Sequence, residues 1–556
     1  MAKVEDIPFR NIPHQSSIFL SYIDLAPGAL RFYRGAPTLQ NLVQTAQGIA
    51  GSYRVPRAEI ASILRRQNEA FGIDRETVRN IDCLENPDCV AVLTGQQVGL
   101  FTGPLYTVYK ALSAIQITEE LKKRGIPAVP IFWLETEDHD LQEATRRTLT
   151  SADHSLCITD YQDMLFKDAG VPLGSVGRMQ LPENIRPVVR DFIDHLPNTA
   201  WKKEVQQQLE SAYKPGATFG QAFARLFSQI FRGSGIILFD PQDPDAKRLV
   251  CDVFQAALRD ADAIREALME RNKALEAAGF HAQAGVLENS TVLFYFQDGA
   301  RYALEKRKSG FFLKNADCRF SMDDLLRCAE KSPDKFSPNV LLRPLIQDHL
   351  FPTLTYVGGS AELAYFAQIE VLYSLWNRPM PIIWPRNSFT LIEPEVSAEL
   401  ERLGVGMQDC FHGRQFLAEQ ALRSSGYSEA AASLGELAEH LDHGLTEIRP
   451  EIQSVDPTLT SALEMAKRKI LQNVQRLKSR VVRLDAAKDS VISNSLDLLL
   501  NHCFPNQKLQ ERELGIQHFW VRHGSSILDA VRSSLDVESF SHRVLHLSEV
   551  SEKRKE

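Results

Sequence analysis

The segment from Val90 to Leu134 constrains the fold of this 556-residue chain most strongly, because it reads as strand, turn, helix and strand. An apolar run at 90–93 stops at a glycine-rich turn, and an amphipathic stretch follows in which Pro104 suits the first helical turn. Gly125 then ends the helix before a second apolar run. Strands joined through a helix in this way are parallel, and their crossover is right-handed. The segment therefore predicts a βαβ unit inside a parallel sheet.

Strands and helices alternate along the rest of the first 394 residues. Further apolar runs predict buried strands at Gly235–Phe239, Thr291–Phe296, Thr353–Val357 and Pro381–Trp384. Helical patterns lie between them at Phe219–Phe231, Ala246–Ala278 and Ala361–Trp376. This alternation predicts an α/β fold with a doubly wound parallel sheet, into which the mixed, polar stretch 300–342 is inserted.

A seven-residue apolar repeat marks the sequence after residue 394. Its members are Leu463, Ile470, Leu477, Leu484, Val491 and Leu498, and a shorter copy runs through Leu434, Leu441 and Ile448. Such a repeat is typical of a coiled coil, and Asp456-Pro457 between the two copies suits the start of a second helix. We predict an antiparallel α-helical coiled-coil hairpin. Its leftover apolar stripe either joins two copies in a homodimer, which we expect, or folds back onto the core.

These patterns divide the chain into an α/β core with inserted segments at 1–394, a helical coiled-coil arm at 395–502 and a C-terminal segment at 503–556 that returns to the core. The net charge of −8 disfavours a nucleic-acid partner. No apolar run approaches the ~20 residues that span a bilayer, which predicts no membrane partner and a cytoplasmic location. The eight cysteines contain no CxxC pair, so we expect free thiols and no metal site.

Three polar clusters follow predicted strands, at the carboxyl ends where a doubly wound sheet binds its ligands. The first is glycine-rich and lacks both the Walker A and the GxGxxG pattern. It is either a plain tight turn or a binding loop, and its two side-chain amides favour the binding loop. Its candidate binding residues are Gln96, Gln97, Gly99, Thr102 and Gly103.

The second cluster is acidic and follows the strand that ends near Leu134. It contains Glu135, Glu137, Asp138, His139, Asp140 and Glu143. Like charges at this density repel one another, which is easiest to explain if a cation or an ammonium substrate lies among them. An acid/base or cation site and a solvated acidic loop with a capping Asp are equally well supported. The candidate catalytic residues are Glu137, Asp138, His139 and Asp140.

The third cluster joins a glycine turn at a helix start to two arginines. Consecutive glycines can form an anion-accepting nest, and arginine can hold a carboxylate or phosphate with two hydrogen bonds. Each arginine alone would more often form a surface ion pair, but together with the glycine turn they predict an anion site. The candidate residues are Asn339, Arg343, Gly358, Gly359, Ser360, Glu362, Arg386 and Ser388.

Four longer motifs around these clusters carry a family resemblance. They are TGQQVGLFTGPLYTVYKA, FWLETEDHDLQE, SPNVLLRPLIQD and FPTLTYVGGSAELAYFAQ, in this order, followed by LQER at 509–512. The chain resembles the bacillithiol biosynthesis cysteine-adding enzymes over nearly its full length, although Ser360 stands where many members are expected to have proline. The resemblance implies a Rossmann-like core similar to class I aminoacyl-tRNA synthetases, a dimerising coiled coil, and a cysteine ligase that adds cysteine to glucosaminyl-malate to form bacillithiol.

The likeness to class I synthetases can be compared residue by residue. Their GPLHxGH signature is matched in frame by residues 103–109, but Tyr106 and Tyr109 stand at both histidine positions. A phenol can form hydrogen bonds but carries no positive charge. Lys110 is therefore the candidate that supplies charge to a phosphate, and the resemblance implies binding roles for all three side chains.

Joining a carboxylate to an amine in water is uphill, so the cysteine carboxylate must first be activated. We expect ATP or another adenine nucleotide as co-substrate, and a nearby carboxylate or His139 as the acceptor of the amine proton. Arg343 and Arg386 would hold the malyl carboxylates. Two other functions stay open: a nucleotide-binding nucleotidyl or acyl transferase with another acceptor, and a non-catalytic dimeric scaffold of a thiol pathway.

Overall fold

The computed structural model describes residues 3–151, 154–167, 174–425, 429–488 and 490–548. Its strands are β1 Val4–Ile7, β2 Val90–Gln97, β3 Ala128–Glu135, β4 Arg146–Thr150, β5 Leu156–Asp160, β6 Ile237–Phe239, β7 Ser290–Gln297, β8 Ala300–Arg307, β9 Gly310–Leu313, β10 Arg319–Phe320, β11 Phe336–Pro338, β12 Thr353–Gly358, β13 Ile382–Pro385, β14 Ser388–Ile392 and β15 His542–His546. Its α-helices are α1 Ser17–Ile23, α2 Pro27–Leu30, α3 Leu39–Ser52, α4 Arg57–Phe71, α5 Arg75–Leu84, α6 Leu105–Lys123, α7 Leu141–Thr145, α8 Gln162–Phe166, α9 Ile185–Asp194, α10 Lys202–Ala212, α11 Phe219–Ile230, α12 Pro244–Arg248, α13 Cys251–Arg259, α14 Ala261–Ala277, α15 Met322–Lys331, α16 Arg343–Leu350, α17 Ser360–Leu375, α18 Pro394–Leu403, α19 Gly413–Ser425, α20 Glu429–Glu447, α21 Arg449–Val455, α22 Leu459–Lys488, α23 Ser490–Cys503, α24 Gln510–Glu513, α25 Ile516–His523 and α26 Ser526–Ser533.

Five parallel strands form the central sheet, in the order β13-β12-β2-β3-β6. Helices cover both faces, so the residues of β2, β3 and β12 are almost all buried. The chain builds the sheet outward from β2 in one direction and then from β12 in the other. The connections that follow β2 and β12 therefore run in opposite directions, and they leave a crevice between the carboxyl ends of these two strands. This topology confirms the predicted doubly wound α/β core.

The predicted βαβ unit consists of β2, α6 and β3, but its first strand is longer than the apolar run. β2 continues through Gln97, so Thr94, Gly95 and both glutamines lie in the strand. The predicted turn at Thr94-Gly95 was therefore wrong. Glycine is needed there for a different reason: a Cβ on Gly95 would lie 2.8 Å from the carbonyl oxygen of Trp133 on β3.

The apolar run predicted as a core strand at 291–296 belongs to another sheet. β7 pairs antiparallel with β8 and β11, in a sheet of order β10-β9-β8-β7-β11 inserted between β6 and β12. Asp298 and Gly299 have φ values of 51° and 80°, as the two-residue turn of a β-hairpin requires. The placement in the core sheet was wrong because an apolar run does not specify which strand it pairs with. The Asp-Gly pair was the signal for a hairpin.

A third sheet joins distant parts of the chain. β15 lies between β1, which is antiparallel to it, and β14, which is parallel. The side-chain amide of Gln510 bonds to both the N–H and the C=O of Leu391 at 2.9 Å. The segment from α24 to β15 therefore packs on the core. The division at residues 394 and 502 stays a prediction.

The helical arm contains the predicted antiparallel hairpin, formed by α20 and α22. Lys467 on α22 pairs with Asp442 on α20 at 2.9 Å. The seven-residue repeat leaves Ile470, Leu477 and Leu484 exposed by 38%, 52% and 50%, so an apolar stripe remains uncovered. No helix in the described ranges combines the length and apolar composition that a bilayer crossing requires.

Replacing Gly177 by alanine tests the close packing at the carboxyl end of β3. Gly177 lies in a 3₁₀ turn, where an added Cβ would lie 2.7 Å from the carbonyl oxygen of Thr136. Relieving this overlap must move backbone, so we expect a loss of about 1–3 kcal/mol in the free energy of unfolding, measured as a lower Tm. The control is Gly48→Ala in α3, where nothing lies within 4 Å. That change should stabilise the protein by up to ~1 kcal/mol; equal Tm values for the two variants would contradict the packing.

Candidate functional site

A cavity of about 270 Å³ opens at the carboxyl ends of β2, β3 and β12. It lies in the crevice between diverging crossovers, where ligands bind in doubly wound sheets. The predicted residues that it brings together are Gln96, Gln97, Tyr106, Lys110, Asp138, Arg343, Gly359, Ser360, Glu362 and Arg386.

The first turn of α17 forms one wall of this cavity. Gly359 and Ser360 line it, and the first N–H groups of a helix have no partners within that helix. The carboxylate of Glu362 accepts the N–H of Gly359 at 2.8 Å and the hydroxyl of Tyr356 at 2.6 Å. Gly358 lies behind this wall, where a Cβ would approach the Cβ of Glu362 to 3.0 Å. The remaining N–H donors and the helix dipole favour a bound anion at this wall.

Arg512 is a cation that the predicted set of residues did not contain. It lies on α24, is exposed, and places Nη2 3.5 Å from the hydroxyl of Ser360. Within the described ranges it forms no ion pair with a carboxylate. Its guanidinium group is therefore available to an anion at the start of α17. The sequence signal for it was the LQER motif at 509–512.

Lys110 is buried in the cavity wall, and its charge is compensated. Its Nζ donates to the carbonyl of Gly95 and to Oε1 of Gln96, both at 2.9 Å, and pairs with Glu362 at 2.5 Å. Burial lowers the pKa of Lys110, and the charge of Glu362 opposes that shift. Because all three donors are occupied, Lys110 orients the surrounding groups and has no donor left for a phosphate. This geometry disfavours its predicted role as the substitute for the signature histidines.

Arg386 is held by a carboxylate from the C-terminal segment. Its Nη2 donates to Glu511 at 2.6 Å, and the hydroxyl of Ser388 donates to the same carboxylate at 2.9 Å. Burial opposes both charges, but their pairing raises the pKa of Arg386 and lowers that of Glu511. Ser388 is buried in β14 and contacts Glu511 and His542. Ser388 does not line the cavity, so its binding role stays a prediction.

Arg343 is a second arginine at the cavity that is held by a carboxylate. It donates to Glu135 at 2.7 Å and to the hydroxyl of Tyr365 at 2.6 Å. Burial raises the pKa of Glu135, and the charge of Arg343 opposes that rise. Asn339 accepts two N–H groups of the turn that leads into α16. It shapes the approach to Arg343 and does not line the cavity, so its ligand contact stays a prediction.

The acidic cluster divides into separate environments. Glu137 is buried in an ion pair with Lys247, which also donates to the carbonyl of Phe336 at 2.9 Å. This pair fastens the core to the inserted sheet, and Glu137 does not line the cavity, so its catalytic role stays a prediction. Asp138 remains at the cavity and is half-buried. Desolvation opposes its ionisation, but hydrogen bonds from His139 and the charge of Arg301 lower the pKa of Asp138.

His139 and Asp140 lie outside the wall of the 270 Å³ cavity. Asp140 accepts the N–H of Glu143 at 2.9 Å and caps α7, which is the capping Asp of the alternative interpretation. His139 is exposed and contacts Arg301 of the inserted sheet, with 3.4 Å between Nδ1 and Nη1. Asp140 lines an adjoining cavity, whereas His139 lines neither cavity, and the catalytic roles of both residues stay predictions.

The turn after β2 lies mostly behind the cavity. A Cβ on Gly99 would overlap the guanidinium group of Arg147 and approach the carbonyl of Ala144 to 3.2 Å. Thr102 is buried at a φ of 66°, and Gly103 lines only an adjoining cavity. Tyr109 is fully buried against Phe389. Gly99, Thr102 and Tyr109 shape the turn and pack α6. They do not line the cavity, so their ligand contacts stay predictions.

Groups of both charges line the cavity. The start of α17 and Arg512 attract anions, whereas Asp138 and Glu143 carry negative charge. Tyr106, Glu143 and Arg512 also line the adjoining cavity, which measures about 390 Å³. The arrangement can bind a molecule that carries both a cationic and an anionic group, next to a second molecule.

Two of the carboxylates at this cavity, Asp138 and Glu143, titrate differently. Desolvation raises the pKa of Glu143, and the nearby charges of Asp140 and Asp138 add to the rise. The pKa of Asp138 is instead lowered. Carboxylates whose pKa values are pushed apart are suited to different roles, one as a proton acceptor and one as a permanent anion.

Family comparisons cover nearly the whole chain. The model described as "Bacillithiol biosynthesis BshC, N-terminal Rossmann-like domain" matches residues 3–387, and "Bacillithiol biosynthesis BshC, C-terminal coiled-coil domain" matches 389–547. Proteins of Salinibacter ruber and Koribacter versatilis, each named "Putative cysteine ligase BshC", are 33% and 34% identical over 95% and 94% of this chain and 96% of their own lengths. A crystal structure titled "putative arginyl t-RNA synthetase" from Campylobacter jejuni aligns over 85% of this chain and 97% of that one. The sequence identity is 9% and the TM-score is 0.23.

Alanine substitutions at Arg386 and at Arg512 should distinguish an arginine that stabilises the fold from an arginine that is free to bind a ligand. Arg386→Ala leaves Glu511 buried without its partner, so we expect a loss of about 3–5 kcal/mol in the free energy of unfolding. Arg512→Ala removes an exposed cation and should change stability by less than ~0.5 kcal/mol. Thermal unfolding of both variants measures the difference. A comparable drop in Tm for the two would contradict the assignment of Arg512 as a free cation.

Proposed function

Because the chain belongs to the bacillithiol biosynthesis BshC family, we propose that it is the ligase that joins cysteine to glucosaminyl-malate and so forms bacillithiol. The name of the curated relatives specifies a cysteine ligase. The observation that carries the proposal is the cavity between β2 and β12, which is lined both by groups that attract anions and by carboxylates.

The chemistry of both substrates suits a cavity that is lined by groups of both charges. Cysteine carries an ammonium and a carboxylate group, and glucosaminyl-malate carries an amine, sugar hydroxyls and two carboxylates. Arg512 and the start of α17 suit a carboxylate or a phosphate, whereas Asp138 suits an ammonium group or a hydroxyl. The adjoining cavity of about 390 Å³ gives the second substrate a place beside the first.

Amide formation needs a leaving group on the carboxyl carbon of cysteine. We propose that a carboxylate oxygen attacks a phosphorus of ATP. Attack on the α-phosphorus releases pyrophosphate and leaves an acyl-adenylate; attack on the γ-phosphorus releases ADP and leaves an acyl-phosphate. The amine of glucosaminyl-malate then attacks the acyl carbon, and AMP or phosphate departs as the amide forms. Arg512 and the N–H groups of α17 are the donors placed to stabilise charge on the phosphate.

The attacking amine must also lose a proton. Glu143 is the better acceptor, because its pKa is raised by desolvation and by its acidic neighbours. Asp138, whose pKa is lowered, stays ionised and orients the amine. His139 lines neither cavity and is a less direct acceptor.

Reconstitution of the reaction tests this proposal. The full chain is incubated with cysteine, glucosaminyl-malate and each nucleoside triphosphate in turn, and the thiol product is detected by mass. We expect product with ATP, and at least ~100-fold less of it with Asp138→Asn at an unchanged Tm. Asp317→Asn, at an exposed site on the inserted sheet, is the control.

Three other outcomes of this assay would contradict the proposal. Product without a nucleotide would contradict activation by ATP. Turnover only with another acceptor would indicate a transferase. Tight binding of both substrates without product would favour the scaffold.

We also propose that the apolar stripe of α22 joins two copies of the chain. Ile470, Leu477 and Leu484 recur at a spacing of seven and stay exposed in the single chain. Leaving such a stripe in water is unfavourable, and a second identical stripe covers it with matching spacing.

A lysine at position 477 should separate the two copies. Leu477→Lys places a charge within the stripe, so we expect a dimer to become a monomer in light scattering coupled to gel filtration. Gln472→Lys is the matched control, because this exposed residue of α22 points away from the stripe. A wild-type monomer would instead support a hairpin that folds onto its own core.

A further inference from the structure

Three metal-ligating side chains meet at the base of the helical arm. Glu393 directly precedes α18, His502 lies in the last turn of α23, and His518 lies on α25. Their side chains are 12%, 5% and 1% exposed, respectively. They are therefore buried where both ends of the arm meet the segment that returns to the core. None of them lines the cavity assigned to the substrates.

Their ligand atoms converge on one point. Oε2 of Glu393 lies 3.8 Å from Nδ1 of His502 and 3.8 Å from Nε2 of His518, and the three atoms lie within 4.8 Å of one another. Tetrahedral Zn²⁺, with ligands at about 2.0–2.2 Å, holds neighbouring ligand atoms roughly 3.3–3.5 Å apart. Side-chain movements that displace the ligand atoms by less than ~1 Å would therefore bring all three into coordination. The present separations are also too long for hydrogen bonds between these atoms.

Each of the three side chains is oriented by another polar group. The hydroxyl of Thr150 lies 3.2 Å from Nδ1 of His518, and Nδ1 of His154 lies 3.3 Å from Nε2 of His502. The second oxygen of Glu393, Oε1, lies 3.2 Å from Nε2 of His523. Outer contacts of this kind fix the ring orientation of metal-bound histidines.

We propose that Glu393, His502 and His518 bind a transition-metal ion of the Zn²⁺ class, which fastens the helical arm to the core. Imidazole and carboxylate ligands in this combination suit Zn²⁺ and Co²⁺. The competing account is a metal-free cluster in which Arg522, whose Nε lies 3.5 Å from Oε1, neutralises Glu393 by itself. The ion's role is structural, because its ligands join three segments of the chain and do not line the substrate cavity.

Metal binding by the full-length, untagged protein distinguishes the two accounts. The protein is dialysed against a chelator and titrated with Co²⁺, whose visible absorption bands report four-coordinate ligation, and bound Zn²⁺ is counted by elemental mass spectrometry. We expect one equivalent per chain, displacement of Co²⁺ by Zn²⁺, and a Tm several degrees higher with metal than with chelator.

Two variants locate the ion within the chain. His518→Ala should bind Co²⁺ at least ~100-fold more weakly, whereas His281→Ala, which removes an exposed histidine, should bind it like the wild type. If His518→Ala does not fold, Glu393→Gln takes its place, because it keeps the side-chain shape and removes the charge. Wild-type protein with no Co²⁺ bands and the same Tm in chelator and in Zn²⁺ would overturn the proposal. Equal loss of binding in His281→Ala and His518→Ala would overturn it as well.

Discussion

The burial of positive charge at the crevice between β2 and β12 is the constraint on which the candidate site depends. Parallel strands end there while helices cover both faces, so cations at the strand ends are removed from water. A buried charge without a partner costs several kcal/mol, and each cation here has one. Lys110, Arg343 and Arg386 pair with Glu362, Glu135 and Glu511, respectively. The cavity walls are thereby held by ion pairs that reach α17, β3 and α24.

These pairs also determine which residues remain available to a ligand. The buried arginines are already neutralised, so they set the shape of the cavity more than its charge. The charges left for binding lie nearer the opening, on Arg512, Asp138 and Glu143. A similar division separates the two acidic neighbours Glu137 and Asp138: the first fastens two sheets together, and the second faces the cavity.

The parts of the fold that depend on local pattern could be predicted from the sequence. The βαβ unit and the helical hairpin follow from apolar spacing and from capping residues, and the polar clusters do follow strands of the core sheet. Long-range partners could not be predicted in the same way. Lys247 is 110 residues from Glu137, and Glu511 is 125 residues from Arg386, so no spacing links them. The histidines at the base of the arm are separated in the same manner, which is why a search for metal-binding motifs finds nothing there.

The position of β15 has a consequence for how the protein is made. This strand lies between β1 and β14, and the nearby Glu511 supplies the counter-charge of Arg386. A ribosome releases the chain from its amino end at about 5–20 residues per second. The central sheet can therefore assemble while the rest is still being translated. The cavity lacks Glu511 and Arg512 until α24 has emerged, and the third sheet lacks its middle strand until residue 546 has emerged. Prematurely terminated chains would hold the sheet without a finished site, so they could not sequester substrate from complete molecules.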